Sequence, residues 1–514
     1  MTIERKLADL VARRSLENAG KIFVTEPDTG RALTFEELAV SGRNLRAALW
    51  SHGFVDGEPV MLLFTNGIAA AQGILGVMSG GGTALPVNPA ATAPELEFLR
   101  RHSGARFALV ANEPADELRR KFPAGTEAER ISGEATLLCL PGEAKPLTID
   151  AALLLYTSGS TGVPKGVPLS AANLLAECAN IVAAHRLTPD DKALCVLPLH
   201  HVNGLVITLL TPLFVGSEVV MPARFSANRF WDWARCHRVS WFSAVPTIFA
   251  ILLGKPMPDR RELSFLRFSR SASAALPEAV LREFEEKTGV PLIESYGITE
   301  GGSQIFSNPL PPLRRKAGSV GLPFGNEARV VLPDGRDAPV GAVGEVAVRG
   351  GNIAAGYLAN AEATRESFRD GWFFTGDLGR FDEDGYLFLQ GRRKELINRA
   401  GEMISPREID EVLHRFPGVE LAAAVGVPDA LYGEEVVAFV RMRDGTPPPD
   451  AALREFCGAS LSRFKIPRRV YAIDEFPRGA SGKIQRLKLV DRYLSLPAEE
   501  RLPEWAMGKD GRSA

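Results

Sequence analysis

Residues 153 to 167, Leu-Leu-Leu-Tyr-Thr-Ser-Gly-Ser-Thr-Gly-Val-Pro-Lys-Gly-Val, constrain the fold more than any other stretch of the 514-residue chain. Leu153 to Tyr156 is a short apolar run that reads as a buried strand. It empties directly into Thr157, Ser158, Gly159, Ser160, Thr161 and Gly162. Glycines let a backbone come close and take left-handed dihedrals, while hydroxyls and free N–H groups donate to phosphate oxygens. Lys165 adds a point positive charge at the far edge. Pro164 pushes Val163 out of the helical region, so no helix can start inside the loop. A Walker A loop is thereby excluded: Pro164 stands where its second glycine belongs, and Gly166 where its magnesium-holding hydroxyl belongs. A flap that closes over a triphosphate fits these residues, and a flexible surface turn is the plain alternative.

The remainder of the chain narrows the choice. Its length suggests about three domains or subdomains. Residues 1 to 150 alternate strand-like and helix-like segments. Thr34 and Glu37 form a capping box ahead of an amphipathic run to Leu49. Val60–Phe64, Ala84–Asn88 and Phe107–Ala111 read as strands, and Ile68–Val77 as a helix closed by Gly80-Gly81-Gly82. Such alternation predicts parallel sheets covered by helices. Residues 318 to 390 are rich in glycine and alternating apolar residues, which predicts a small antiparallel β unit. After a charged break at Gly391-Arg392-Arg393-Lys394-Glu395, a helix starting at Ser405-Pro406 and strands at 422–427 and 436–442 predict a further α+β domain of about 120 residues. The fold class is α/β: a large N-terminal domain of parallel αβ-layered sheets plus a small β unit, then a smaller α+β domain.

Charge and cysteine usage exclude several classes. With 60 basic against 62 acidic residues, the net charge is −2, which gives no electrostatic case for nucleic acid or an anionic membrane. The five cysteines are scattered, without zinc spacing, as free thiols in a reducing compartment would be. Residues 1 to 16 mix charged and apolar residues at helical spacing, unlike a signal peptide, and no apolar run approaches a membrane span. A cytoplasmic location is expected.

Six further features carry possible chemistry. His200 and His201, followed by Asn203, occupy a polar bend after a strand; they either act catalytically or line a pocket, and the absence of neighbouring ligands argues against a metal. Trp241 and Phe242 begin an aromatic strand and are more often core than ligand contacts. Ser271 to Pro277, containing Ala274 and Ala275, is a small-residue bend that lets something flat approach. Ser295-Tyr296-Gly297-Ile298-Thr299-Glu300 combines a stacking ring, a phosphate donor and an oxygen ligand for a hard cation, or is a decorated loop. Asp377, just past the apolar strand at Trp372, suits a ribose diol. Lys483, on a Gly/Ser loop, either reaches into another domain's site or is a lone surface lysine.

Taken together, Thr157-Ser-Gly-Ser-Thr-Gly-Val-Pro-Lys-Gly, Tyr296-Gly-Ile-Thr-Glu, Thr375-Gly-Asp, Gly391-Arg-Arg-Lys-Glu and Ser481-Gly-Lys resemble, in order and spacing, the motif series of the adenylate-forming superfamily of acyl-CoA synthetases, adenylation domains and luciferases. The resemblance implies ATP, Mg2+ and coenzyme A as co-substrates and a two-step reaction through an acyl-AMP. It implies that Thr157 to Lys165 hold the β- and γ-phosphates, Thr299 the α-phosphate and Glu300 the magnesium. Ser295, Tyr296 and Gly297 with Ala274 frame adenine, and Asp377 with Arg392 binds ribose. Lys483 bridges the acyl carboxylate and the α-phosphate. Domains at 1–391 and 396–514 are implied, joined by a hinge at 392–395 on Lys394, with Gly401 and Glu402 shaping a thiol tunnel after domain rotation. His201, Asn203, Trp241, Ala275 and Ser303 are the implied acyl pocket.

Within the superfamily the chain looks closest to oxalyl-CoA and malonyl-CoA synthetases, on Leu197-Pro198-Leu199, Ala244 to Thr247, Ser307 to Leu310 and Lys394 to Arg399. Members of the oxalate type carry a histidine, a serine and a histidine where this chain has Asn203, Ala275 and Ser303. An unpartnered buried carboxylate is costly, so the loss of those donors points to an uncharged or weakly polar carboxylic acid, with oxalate or malonate as the rival. A carrier-protein thiol in place of coenzyme A is a further alternative.

Overall fold

Parallel strands buried on both faces build the first part of the molecule. In the strand Pro59–Leu63 every residue is buried, and Thr83–Pro86 repeats that pattern. Such continuous burial arises when helices cover both faces of a sheet. The helix Phe35–Ser51 starts on Thr34, whose hydroxyl accepts from the Glu37 N–H while the Glu37 carboxylate accepts from the Thr34 N–H, forming the expected capping box.

The computed structural model describes residues 6–113, 115–157, 164–478 and 484–502. They form two compact units. The first comprises the chain up to Leu276, Leu281–Ala328 and Ala347–Phe374; the second comprises Pro277–Val280, Arg329–Val346 and the chain from Thr375 onward.

The first unit contains two large sheets. One has nine strands in the order Leu322–Pro323, Ser303–Ser307, Leu292–Ile298, Phe268–Ser271, Trp241–Ala244, Lys192–Cys195, Glu218–Val220, Ile22–Thr25 and Ala32–Thr34. Its central strands are parallel, and antiparallel partners close each edge. The other has seven strands and ends on the antiparallel hairpin Leu153–Thr157/Lys165–Leu169. The helix Ala171–His185 follows that hairpin at once, capped by Ser170 through Asn173. In the second unit, Val419–Asp429 and Gly433–Met442 form a long antiparallel pair, with Arg469–Ala472 added in parallel. The helix Pro406–His414 packs Ile409, Val412 and Leu413 into this unit's core. Strands at Asn326–Val331, Gly344–Gly350, Phe368–Arg369, Trp372–Phe381 and Leu387–Arg392 form one five-stranded sheet, in which Trp372–Phe381 pairs antiparallel with Phe368–Arg369 and with Leu387–Arg392.

Three local readings change. The polar bend at 200–204 leads into a π-helix, Asn203–Leu210, buried at every position and therefore without an amphipathic signature. Tyr296 and Gly297 lie within the strand Leu292–Ile298, not in a turn, and Asp377 lies inside the strand Trp372–Phe381, not beyond it. All five cysteines are free. Among the described residues, no helix is long and apolar enough to cross a membrane.

Candidate active site

Thr157 and Lys165 face each other across the hairpin and close the base of the hydroxyl-rich loop. Ser158, Gly159, Ser160 and Thr161 lie outside the described residues. The Lys165 ammonium sits 4.8 Å from the ring centroid of Tyr357, and the Tyr357 hydroxyl donates to Glu300 Oε1 at 2.8 Å. Two backbone bonds fix this arrangement: Leu358 N–H donates to the Gly166 carbonyl and Ala354 N–H to the Glu300 carbonyl, both at 2.8 Å. A cation and a carboxylate are thus held by one buried ring without neutralising each other. Glu300 Oε2 takes no hydrogen bond from the described residues. Tyr357 was not singled out from the sequence, because its partners lie 57 and 192 residues away in the chain, at Glu300 and Lys165.

Thr299 begins a short 3-10 turn, Thr299–Gly301, that closes on Gly302 at φ +73°. The strand before it is tightly constrained: a Cβ on Gly297 would lie 1.4 Å from the Ser303 carbonyl oxygen. Any side chain there would break the pairing that places Tyr296, Thr299 and Ser303 together at one end of the sheet. Ser295 and Ser307 share a hydrogen bond of 3.0 Å, and Ser303 is buried. Across the neighbouring strand, Ser273 adopts φ +75°, and Ala274 and Ala275 are exposed. Ala274 and Ala275 therefore present only backbone and methyl groups to solvent, as a flat ligand requires.

A buried polar network lies beneath these elements. Arg270, 1% exposed, donates from Nη1 to Asn203 Oδ1 and to Ser243 Oγ, each at 3.0 Å, and from Nε to Gln304 Oε1 at 3.2 Å. Ser243 Oγ donates to Asn203 Oδ1 at 2.8 Å, and Asn203 Nδ2 donates to Ser273 Oγ at 3.2 Å. His185 Nε2 meets the same Gln304 oxygen at 2.9 Å. Glu177 accepts from Gln304 N–H at 2.5 Å and from Asn352 Nδ2 at 2.9 Å, and that Asn352 amide also donates to the Gly301 carbonyl at 2.8 Å. Burial pushes the Glu177 carboxyl well up toward its neutral form, and lowers the Arg270 guanidinium to about 10, still charged at neutral pH. His200 and His201 lie with ring centroids 4.5 Å apart, and burial, helped by His201, lowers His200 to about 3. Trp241 is fully buried and stacks on Phe268 at 5.6 Å; Phe242 packs among Phe230, Phe249 and Phe284.

In the second unit, Asp377 and Arg392 are register partners on adjacent strands, and Arg392 Nε donates to Asp377 Oδ1 at 3.1 Å. Lys394 occupies the exposed 3-10 turn Arg393–Glu395, with Arg393 paired to Glu345 at 2.9 Å. Gly401 (φ +90°) and Glu402 form the exposed tip of the hairpin Ile397–Arg399/Glu402–Ile404. Lys483 lies outside the described residues; the segment holding it is closed by the bridge between Arg478 and Ile484.

Among the described residues, no group of three or more His, Cys, Asp or Glu side chains converges. A single carboxylate, Glu300, fits a magnesium ion that arrives with a triphosphate, since that ion takes most of its ligands from phosphate and water.

Two family models match: "AMP-binding enzyme" over residues 11–358 and "AMP-binding enzyme C-terminal domain" over residues 408–483. The chain is 44% identical to the sulfoacetate–CoA ligase of Cupriavidus necator, over 94% of this chain and 97% of that one. It is 40% identical to the oxalate–CoA ligase of Arabidopsis thaliana, over 87% and 90%. Its fold is similar to that of ATP-bound MatB from Rhodopseudomonas palustris, with a TM-score of 0.84 and 30% identity, over 95% of this chain and 99% of that one. The chain belongs to the AMP-binding enzyme family, within the adenylate-forming superfamily.

Proposed function

We propose that the two units catalyse successive half-reactions on one small carboxylic acid. The enzyme is an ATP-dependent, AMP-forming acid–CoA ligase, with ATP, Mg2+ and coenzyme A as co-substrates. In the first step a carboxylate oxygen attacks the α-phosphorus of ATP, and the bond to the pyrophosphate oxygen breaks. In the second, the coenzyme A sulfur attacks the acyl carbon, giving the thioester and releasing AMP. The acid is ionised at neutral pH, so no protein base is needed for the first step.

The observation that carries this reading is the Lys165–Tyr357–Glu300 array. It presents a free ammonium and a carboxylate oxygen at the base of a hydroxyl-rich loop. Lys165 with Thr157 and the loop up to Thr161 binds the outer phosphates, Glu300 holds the magnesium that comes with them, and Thr299 donates to the α-phosphate. Tyr296, Gly297, Ser295 and Ala274 frame adenine, and Asp377 with Arg392 takes the ribose. Lys483 stabilises the negative charge that gathers at the α-phosphorus more in the transition state than in the ground state. His201 gates a pocket formed with Asn203, Trp241, Ala275 and Ser303. The second unit turns about Lys394, withdrawing Lys483 and bringing Gly401 and Glu402 to the thiol channel. Both close relatives are named as CoA ligases, and nothing among the comparisons supports a carrier-protein thiol.

The test is acid-dependent ATP–pyrophosphate exchange together with thioester formation. Lys483→Ala should abolish both, whereas Lys394→Pro should keep exchange and lose the thioester. Exchange that ignores the acid, or that survives Lys483→Ala, overturns the assignment.

A further inference from the structure

Arg270 is a buried cation with no anionic partner in contact. Its three acceptors, Asn203, Ser243 and Gln304, are all neutral, and none of the ion pairs among the described residues includes it. The one acidic group that acts on it, Glu177, makes no hydrogen bond to it and is itself held toward neutrality by burial. Taking a guanidinium out of water costs several kcal/mol unless charge and hydrogen bonds compensate. Several donors around it also lack acceptors. Arg270 Nη2 has no acceptor among the described residues, and Gln304 Nε2 is buried without one. The Gln304 amide cannot be turned to relieve this, because its oxygen already receives Arg270 Nε and His185 Nε2. Trp241 Nε1, on the same strand face as Ser243, is also buried without an acceptor.

These unspent donors lie at the acyl pocket. Asn203 is one of its residues, Gln304 follows Ser303, and Asn203 Nδ2 reaches the Ser273 hydroxyl beside exposed Ala274 and Ala275. The donors missing at Asn203, Ala275 and Ser303 argued for an uncharged acyl tail. Arg270 restores a positive charge from one layer deeper, contributed by a strand and not by the pocket loops.

Building on the ligase reading above, we infer that Arg270 is the specificity-determining group of the acyl pocket and that the acid carries a second anionic group at the end remote from the adenylated carboxylate. That group is a carboxylate or a sulfonate, and the acid is short. An anion with two or three oxygens supplies the acceptors that Arg270 and Gln304 lack, and it neutralises the buried charge.

The test pairs each dianionic acid with a neutral isostere in the exchange assay: malonate with its monomethyl ester, sulfoacetate with methylsulfonylacetate. The wild-type enzyme should favour each dianion by at least about a hundredfold in kcat/KM, because a polar site rejects an analogue that leaves its groups unpaired. The carboxylate and sulfonate arms distinguish the two anions. Arg270→Lys should keep the sense of the preference. Arg270→Met should reverse it through KM for the dianions, leaving KM for ATP in place. A wild-type preference for the neutral partners overturns the inference while leaving the ligase reading intact, and this comparison does not depend on any variant folding. A folded Arg270→Met enzyme that still favours dianions overturns it as well. No exchange with any acid brings down the ligase reading and the inference together.

Discussion

Replacing Tyr357 with phenylalanine separates two contacts that meet on one ring. The hydroxyl donates to Glu300 Oε1 at 2.8 Å, and the ring face lies 4.8 Å from the Lys165 ammonium. Phenylalanine keeps the ring, and with it a cation–π contact of about 0.5–2 kcal/mol, while deleting a hydrogen bond to a charged acceptor of about 1.5–3 kcal/mol. Glu300 is half-buried, so the lower end applies, and about 1.4 kcal/mol corresponds to tenfold. The lost bond frees the Glu300 carboxylate to leave its position at the cation site. Pyrophosphate exchange measured across a magnesium series should therefore show a roughly tenfold higher magnesium requirement for Tyr357→Phe. KM for the acid should not move, since the acyl pocket touches other residues. Lys165→Met deletes the complementary contact and should raise KM for ATP at saturating magnesium. An unchanged magnesium dependence in Tyr357→Phe, or a shift in KM for the acid instead, refutes the idea that Tyr357 positions Glu300.

Two further predictions concern stability. His185 is buried, stacked on Phe268 at 5.2 Å, and lowered by burial to about 3. Its folded pKa is below the unfolded value, so the unfolded chain binds the extra proton between those two values and stability falls as pH drops from about 6.5 toward 3. Each such imidazole steepens the slope by up to about 1.4 kcal/mol per pH unit. Urea titrations between pH 7 and 4 should show a shallower slope for His185→Met; an unchanged slope rejects the assignment. In the second unit, Arg486 pairs with Asp410 and donates to the Ala424 carbonyl at 2.8 Å, while Asp410 accepts from the Ala424 N–H at 2.6 Å. Asp410→Ala removes the shorter of two carboxylate partners of that half-buried guanidinium, leaving Glu395 at 3.4 Å, and should cost about 2 kcal/mol by chemical denaturation, with Asp410→Ala/Arg486→Met recovering part of the loss. Equal loss in the double variant would show that the pair is not the source.

The sequence carried the local decisions and hid the long-range ones. Capping at Thr34, the proline start at Pro406 and the strands at Pro59–Leu63 and Phe107–Ala111 depend on neighbours within a few positions, and they fall where local rules place them. The π-helix at Asn203–Leu210 gave no period because it is buried on every side. Along the chain Asp377 stands just past the apolar run that starts at Trp372; the register with Arg392 that keeps it in the strand comes from another segment. Arg270 lies in the short buried strand Phe268–Ser271, and a strand covered on both faces does not announce which side chains face a ligand.

The least legible feature is the one that joins the two halves of the site within the first unit. From the acyl side it runs Asn203, Arg270, Gln304, then Glu177. Asn352 continues it from Glu177 to the Gly301 carbonyl, beside Glu300, and Tyr357 carries it on to Lys165. Its members are spread between residues 165 and 357, and only Glu300 to Gln304 and Asn352 to Tyr357 bring two of them into one short window. Burial raises the Glu177 carboxyl, which weakens its competition with a substrate anion for Arg270. The network is closed by hydrogen bonds from Glu177 through Asn352 to the Gly301 carbonyl on its phosphate side and is left with buried donors unpaired around Arg270 on its acyl side, where the acid must be chosen. ATP recognition therefore shows in motifs read along the chain, whereas acid selection rests on a charge that only the packing of distant segments reveals.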